Sequence, residues 1–172
     1  MERRGKMNSR TVRMKIRSVR YDVEASFFSS LNEDEDFSLY GNDDEKLSFD
    51  NEEKIEINTE GTCTKDGTRI DFTYEESEIT GMEGSSTTVS FDQRDPGLVS
   101  MLRTGSVSTA LVFEAGKRHH CVYQTPIMPF EICVHTLQVK NRLLDEGYLH
   151  LDYIIEIRGA MAERTRFEMT VL

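Results

Sequence analysis

The stretch YLHLDYIIEIR, residues 148–158, alternates apolar and polar side chains along its length. Leu149, Leu151 and Tyr153 fall on one face, and Ile154 is the single apolar exception on the other. A period of two over eleven residues indicates an extended strand with one buried face and one solvated face. The same alternation recurs along most of the chain, so the sequence predicts an all-β protein.

Short turns divide the chain into about ten such segments. The predicted strands are 11–24, 54–63, 68–76, 85–91, 98–103, 106–113, 117–125, 130–137, 148–158 and 163–172. We expect helical character in the connection that ends at Leu144. Strands joined by short turns are typical of an antiparallel barrel or a sandwich. Because a barrel leaves no exposed edge, we expect a barrel of about eight to ten strands.

The apolar phase changes within the first predicted strand. Met14 and Ile16 occupy even positions, whereas Val19 and Tyr21 occupy odd ones. A change of phase inside one strand is typical of a β-bulge, which bends the strand. We therefore expect a bulge near Ser18.

The net charge of −10 is distributed unevenly along the chain. Residues 1–20 contain eight basic side chains and one acid, while Lys46 is the only base between residues 22 and 53. The basic residues of the first strand alternate with apolar ones and so form its solvated face. Because the rest of the domain would repel phosphate, we expect no nucleic-acid binding.

The charge pattern also suggests the domain organisation. We interpret residues 1–10 as a flexible basic tail, with Met7 as an alternative start, and residues 11–172 as a single β-barrel domain. Dense like charges at about 32–53 oppose packing, so we expect an acidic loop there.

The cysteine content bears on the compartment. The three cysteines, Cys63, Cys121 and Cys133, are an odd number, and neither a secretory leader nor an apolar run of about 20 residues is visible. We therefore expect a cytoplasmic protein with no membrane association.

Cysteines and histidines on two neighbouring strands raise the question of a metal site. With a three-residue turn, Cys121 would lie opposite Cys133 and His119 opposite His135, which are the ligand types of a zinc site. With a four-residue turn at 126–129, these side chains divide between the two faces. The apolar pattern of the second strand favours the four-residue turn, so we expect no metal site and no cofactor.

Catalytic signatures are weak in this sequence. It contains no nucleophile elbow, phosphate-binding loop or dinucleotide fingerprint. An enzyme that uses His119, His120 or Cys121 is a weaker alternative, because neighbours along a strand face opposite ways. We name no catalytic residue and expect a protein that is not an enzyme.

Arg103 allows two interpretations. It shares a strand face with Val99 and Met101. The opposite face, with Leu98 and Leu102, is the more apolar one, and we expect it to point to the core. In the favoured interpretation Arg103 lies outside the barrel and pairs with a surface acid, which contributes little to stability. In the other, Arg103 lies at the barrel mouth and holds an anionic ligand.

Several short motifs follow one another in a characteristic order from about Gly61 to the end of the chain. They are Tyr74-Glu75-Glu76, Met101-Leu102-Arg103-Thr104-Gly105, Leu111-Val112-Phe113 with Gly116, Tyr123-Gln124-Thr125-Pro126, Thr136, and Gly147-Tyr148-Leu149-His150-Leu151-Asp152-Tyr153. Their order resembles the YwiB-like proteins, a small bacterial family of unknown function. After the Thr-Pro pair the family has an aromatic residue and a glycine, where this chain has Ile127 and Met128.

The resemblance implies a calycin-like or lipocalin-like barrel and no particular activity. A barrel of about eight strands leaves room for one small ligand. We therefore expect a small, partly apolar ligand inside the barrel or at its mouth, with Tyr123, Thr125 and Arg103 as candidate ligand-binding residues. The alternative is a protein-interaction module that uses the acidic loop or a barrel edge to bind a protein partner.

Overall fold

The computed structural model describes residues 8–23, 52–157 and 160–172. Within these residues the chain forms ten β-strands and one short 3₁₀ turn, Glu78–Thr80. The strands are β1 (Asn8–Val23), β2 (Glu52–Asp66), β3 (Arg69–Glu75), β4 (Ser85–Asp92), β5 (Asp95–Gly105), β6 (Thr109–Phe113), β7 (Arg118–Gln124), β8 (Pro129–Arg142), β9 (Tyr148–Ile157) and β10 (Ala160–Val171). The all-β class predicted from the alternation is confirmed.

Two predicted segments lie mostly outside the described residues. The acidic loop expected at 32–53 falls there except for its last two residues, which begin β2. The basic tail expected at 1–10 falls there up to residue 7, whereas residues 8–10 already pair with β2. Strand β1 thus begins before the predicted first strand.

The strands form one antiparallel sheet that curls into a nearly closed barrel. Strands adjacent in the sequence pair with each other except β6 and β7, and β1 also pairs with β10, so the sheet runs from β7 through β10 and β1 to β6. Strands β6 and β7 face each other across a gap, which we call the seam. Among the described residues, Ser108 and Gln124 form the one β-bridge across it, with N–H···O distances of 3.0 and 2.8 Å.

Strand β1 contains no bulge, so the prediction of one near Ser18 is wrong. Its register with β10 runs without a shift from Met14 to Val23, and its register with β2 is equally regular. The apparent change of phase has another cause. Ser18 and Arg20 continue the inner face and line a cavity there, while Val19 on the outer face is nevertheless buried.

Strand β8 corrects the predicted helical connection before Leu144. It extends to Arg142 and pairs with β9 up to Tyr148. A register shift between Thr136 and Gln138 marks a bulge in this long strand. The second half of β8 is extended because it has a partner strand along its whole length, and only residues 143–147 remain for the turn.

The predicted buried face of β5 is also wrong. Leu98 and Leu102 are 41% and 47% exposed, whereas Val99 and Met101 are buried. The connection from β5 to β6 is longer than a tight two-residue turn, because Arg103 pairs with Thr109. A change in turn length by an odd number of residues reverses which faces of the two strands meet, and the connection at 104–108 is three residues longer than a two-residue turn, so that Arg103 lies on the inner side.

The barrel interior is apolar and continuous. Leu149, Leu151 and Tyr153 of β9 point inward, as predicted. They pack in one cluster with residues from all nine of the other strands. One end of the barrel is filled by large buried side chains, among them Phe72, Phe91 and Phe113. The other end is where the cavity lies. The described residues include no helix of the length and apolarity that a membrane crossing requires.

Candidate functional site

A cavity of about 310 Å³ opens at one end of the barrel. It lies where the odd-numbered strands end and the even-numbered strands begin. Its apolar walls are formed by Ile16, Ile55, Ile57, Met82, Leu111, Phe130, Ile132, Ile155, Ile157 and Phe167. Its polar walls include Ser18, Arg20, Tyr74, Glu76, Thr80, Arg103, Tyr123, Tyr153, Glu163 and Thr165. This mixture suits a molecule that is mainly apolar and carries a few polar groups.

A row of polar side chains crosses three neighbouring strands on the cavity wall. Thr87 of β4 lies opposite Tyr74 of β3 on one side and Arg103 of β5 on the other. Glu76 follows β3 directly and shares the face of Tyr74, because alternate residues of an extended chain point the same way. The sheet register therefore brings these four side chains together.

Glu76 and Arg103 form a buried ion pair. The distance from Arg103 Nε to Glu76 Oε1 is 3.5 Å, and the two side chains are 11% and 2% exposed, respectively. Thr87 lies between them. Its hydroxyl donates a hydrogen bond to Glu76 Oε1 at 2.5 Å and accepts one from Arg103 Nε at 3.1 Å. The carboxylate is thus held in place by both neighbours.

The remaining nitrogens of Arg103 have no oxygen partner among the described residues. Arg103 Nη2 lies 3.4 Å from the sulfur of Met101, which is a weak acceptor. The guanidinium has five N–H donors, and its Nε edge alone is matched to oxygen acceptors here. The other edge of the guanidinium therefore keeps hydrogen-bonding capacity.

Two buried tyrosines flank this ion pair. Burial raises the pKa of Tyr74 far above its ordinary value, and the Glu76 carboxylate acts in the same direction. Burial also raises the pKa of Tyr153, with Arg103 opposing the shift. Both hydroxyls consequently stay protonated at neutral pH and remain available as hydrogen-bond donors.

The cavity mouth carries a looser set of charges. Arg20 Nε lies 3.8 Å from Glu163 Oε1, and Arg20 Nη1 lies 3.6 Å from Glu53 Oε2. These side chains are about one-third exposed or more, so the pairs contribute little to stability. Arg20 can exchange these partners for another anion at small cost.

The structure places two of the three predicted ligand-binding residues in the cavity wall. Tyr123 lines the cavity, and its ring stacks on Phe130 with centroids 5.3 Å apart. Arg103 lines it as well, on the inner side of the barrel and not outside. Thr125 does not line it. The Thr125 hydroxyl donates to the Met128 carbonyl at 2.8 Å and accepts from the Ile127 and Met128 amides.

The predicted division of the cysteines and histidines between two faces is confirmed. The β7–β8 turn has four residues, 125–128, one position earlier than expected, and Cys121 lies opposite Ile132. Cys133 sits opposite His120 on the other face. Burial raises the pKa of both thiols and lowers that of His135. Across the part of the chain that the structure describes, no group of three or more acidic, histidine or cysteine side chains is arranged to hold a metal.

Three residues of the polar row escaped the sequence interpretation. It assigns no role at the site to Glu76, Thr87 or Tyr74. The signal that could have found them is the alternation of β3. Ile70, Phe72 and Tyr74 share one face, and Glu76 continues the same parity.

Comparisons with known proteins support the fold. The family described as "Domain of unknown function (DUF1934)" matches residues 43–169. The crystal structure of the ywiB protein from Bacillus subtilis is similar with a TM-score of 0.60 and 14% identity, over 94% of this chain and 93% of that one. At this identity the similarity concerns the fold alone. No curated protein matches the sequence. Since the family match spans most of the chain, the protein belongs to this YwiB-like family of unknown function.

Proposed function

We propose that the barrel binds a small, partly apolar molecule in its open end. The observation that carries this proposal is the cavity itself, about 310 Å³ with mainly apolar walls and one polar row. That volume lies at the lower end of the range of about 300–1,000 Å³ that ligand pockets occupy. Sites for small ligands commonly combine apolar walls with a few fixed polar groups.

The candidate residues have distinct parts in this proposal. Tyr123 offers its ring and hydroxyl to the ligand, and its stacking on Phe130 keeps the ring in place. Arg103 offers hydrogen-bond donors from β5, on the other side of the seam. Thr125 acts through the turn between Tyr123 and Phe130, where its hydroxyl makes three hydrogen bonds.

We further propose that the protein binds its ligand without transforming it and does so in the cytoplasm. The described residues that line the cavity include no cysteine or histidine, so they offer no thiolate or imidazole for catalysis. The three cysteines are all free, which suits a reducing compartment.

Filling the cavity tests the proposal. The uncharged dye N-phenyl-1-naphthylamine fluoresces more strongly in apolar surroundings, so we expect its emission to rise when the wild-type protein is added. Ile155 lines the cavity and is partly exposed at its mouth, so I155W should occupy the site without disturbing the deep core. We expect at least a tenfold weaker dye affinity in this variant.

The matched control is L102W, which adds the same side chain on the outer wall, where Leu102 is 47% exposed. Its dye binding should equal that of the wild type. The proposal is rejected if the dye shows no enhancement with wild type, or if I155W and L102W bind it equally well.

A protein partner at the barrel edge is the second candidate. The observation that favours it is the seam, where β6 and β7 expose backbone groups of two neighbouring strands. Val122 beside the seam is 52% exposed, and Leu102 adds a further exposed apolar side chain on the same part of the wall. An unpaired strand edge can accept a strand from another chain.

Affinity capture from an extract of the source cells tests this candidate. We expect V122K to lose a partner that the wild-type protein retains, while its dye binding is unchanged. Equal capture by V122K and wild type would speak against the seam as the docking edge.

A further inference from the structure

The Arg103 guanidinium offers the clearest indication of what the cavity receives. Polar groups that line a ligand site fix the orientation of the ligand through hydrogen bonds. The Nε edge of Arg103 is matched to Thr87 and Glu76, but the Nη groups find no oxygen among the described residues. Arg103 is 11% exposed and lines the cavity, so its Nη donors can reach a molecule held there. Among the described residues these donors have no oxygen acceptor, and a ligand in the cavity can supply one.

The orientation of this guanidinium is fixed from behind. Thr87 binds both Arg103 Nε and Glu76 Oε1, so the ion pair cannot rotate freely about its contact. Strand pairing sets the position of Thr87 relative to Arg103. A donor group held in this way is ready for a ligand and loses little conformational freedom on binding.

We propose that the cavity takes an amphipathic monocarboxylate, whose carboxylate accepts hydrogen bonds from the Nη groups of Arg103. This inference rests on the proposed ligand-binding function of the cavity. A carboxylate has two acceptor oxygens in one plane and matches the guanidinium fork in geometry and charge. The apolar body of the ligand lies against Ile57, Leu111 and Phe167 on the cavity walls.

The hydrogen-bond partners within the polar row favour an anion over a cation there. Glu76 is 2% exposed, and its Oε1 already accepts from Thr87 and faces Arg103. An amine at this row would therefore have to displace the existing partners of Glu76, whereas a carboxylate meets Nη donors that have no oxygen partner among the described residues. Arg20 stands at the mouth with loosely held partners and gives the entering anion a second positive side chain.

The test compares ligands of equal chain length and different head groups. Octanoate, 1-octanol and octylamine are each titrated against wild-type protein loaded with N-phenyl-1-naphthylamine, and the displacing concentrations are compared. We expect octanoate to displace the dye at about tenfold lower concentration than 1-octanol, because hydrogen bonds to charged groups are the stronger ones. Octylamine should be the weakest of the three.

Variants then assign the preference to Arg103. Removing Arg103 alone would leave the Glu76 carboxylate buried without a partner and could prevent folding. The double variant E76Q/R103M removes both charges together. In this variant the advantage of octanoate over octanol should fall below about threefold, with octanol itself displacing as in wild type. R13M is the matched control, since Arg13 lies on the outer wall and its side chain is 76% exposed.

The outcomes separate the two proposals. If the wild-type protein binds neither the dye nor any of the three compounds, both the ligand-binding function and the carboxylate inference are overturned. If octanol and octanoate displace the dye equally, or octylamine does so best, the cavity binds ligands and the carboxylate inference is overturned. A preference for octanoate in wild type and R13M that disappears in E76Q/R103M supports it.

Discussion

Single residues decide the chemistry of the cavity, and Thr87 has the central position among them. Its hydroxyl bonds to both members of the buried Glu76–Arg103 pair. A valine at this position keeps the shape but removes both hydrogen bonds. The carboxylate would then keep its burial and lose its best donor, which is the costly way to break such a pair.

We therefore expect T87V to lower the free energy of unfolding by about 1–3 kcal/mol, measured by urea denaturation. T88V is the control on the same strand. The Thr88 hydroxyl makes a hydrogen bond with the Thr73 hydroxyl at 2.9 Å in a partly buried position, and among the described residues it has no hydrogen bond to a charged group. Its loss should cost about 1 kcal/mol or less. Equal costs for the two variants would show that Thr87 does not support the ion pair.

Tyr74 gives the stability of the protein a pH dependence at the alkaline end. Burial raises its pKa in the folded state, so above pH ~10 the unfolded chain loses this proton while the folded chain keeps it. The folded state then binds more protons, and stability falls as pH rises from about 10 upward. Below that pH Tyr74 is protonated in both the folded and the unfolded chain, so its ionisation does not lower the stability.

In Y74F this source of alkaline instability is absent. Between pH 10 and 11 we expect the free energy of unfolding of Y74F to fall less steeply than that of wild type, by up to about 1.4 kcal/mol per pH unit. Urea denaturation at several pH values measures both slopes. Parallel slopes would mean that Tyr74 ionises in the folded protein near its ordinary pKa.

Sequence reasoning reached some of these residues and missed others for a definite reason. Tyr123 is predicted correctly as an inward side chain, because the apolar residues of β7 and β8 fix its face. Arg103 is placed on the wrong side in the favoured interpretation, because the length of the turn after β5 sets the parity and composition does not reveal it. Glu76 is missed because a carboxylate at a strand end is usually solvated, and its buried partners come from other strands.

Some neighbouring strands of the barrel approach each other so closely that a side chain would not fit between them. The alternation of apolar and polar residues does not reveal these positions. Gly61 in β2 lies between β1 and β3, opposite Val12 and Tyr74. A Cβ atom at this position would overlap the carbonyl oxygen of Thr73 and the terminal methyl group of Met14. The absence of a side chain at residue 61 therefore allows β1 to β3 to curve around the core.

We expect G61A to destabilise the protein by about 1–3 kcal/mol, the usual cost of overpacking. G97A is the matched control, because a Cβ at Gly97 in β5 would meet only Asp95 Oδ1, at 3.7 Å. Thermal denaturation of the two variants compares the costs directly. If G61A and G97A unfold at the same temperature as wild type, the close approach at Gly61 is relieved without penalty.

The ends of a strand are predicted well where the flanking turn has a strong sequence signal, and poorly where it does not. The extent of β9 is predicted almost to the residue, because its alternation is regular and glycine precedes it. The second half of β8 was assigned helical character, since its mixed polarity shows no clear period. Pairing with β9 decides its conformation, and a single sequence does not reveal which strand a segment will meet.

At the scale of the whole molecule, the barrel class follows from many short strands, but the cavity does not. The cavity exists because large side chains fill one end of the barrel, while Ser18, Thr165 and a set of polar groups occupy the other. Counting strands cannot show which end is filled. The phase change in β1 results from this difference between the two ends of the barrel, because polar residues replace apolar ones on the inner face near the mouth.

The pairing of β1 with β10 has a consequence for how the polypeptide can be connected. The Leu172 amide donates to the Arg13 carbonyl at 2.9 Å, so Leu172 lies beside β1, five residues along the strand from Asn8. A linker that runs along this part of β1 could join Leu172 to Asn8, and new termini could be opened in the connection between β6 and β7, at residues 114–117. In such a circular permutant the order of strands along the chain would equal their order around the sheet. The break in the chain would then lie at the seam, where the backbones of neighbouring strands are already unpaired. Native contacts elsewhere would be preserved.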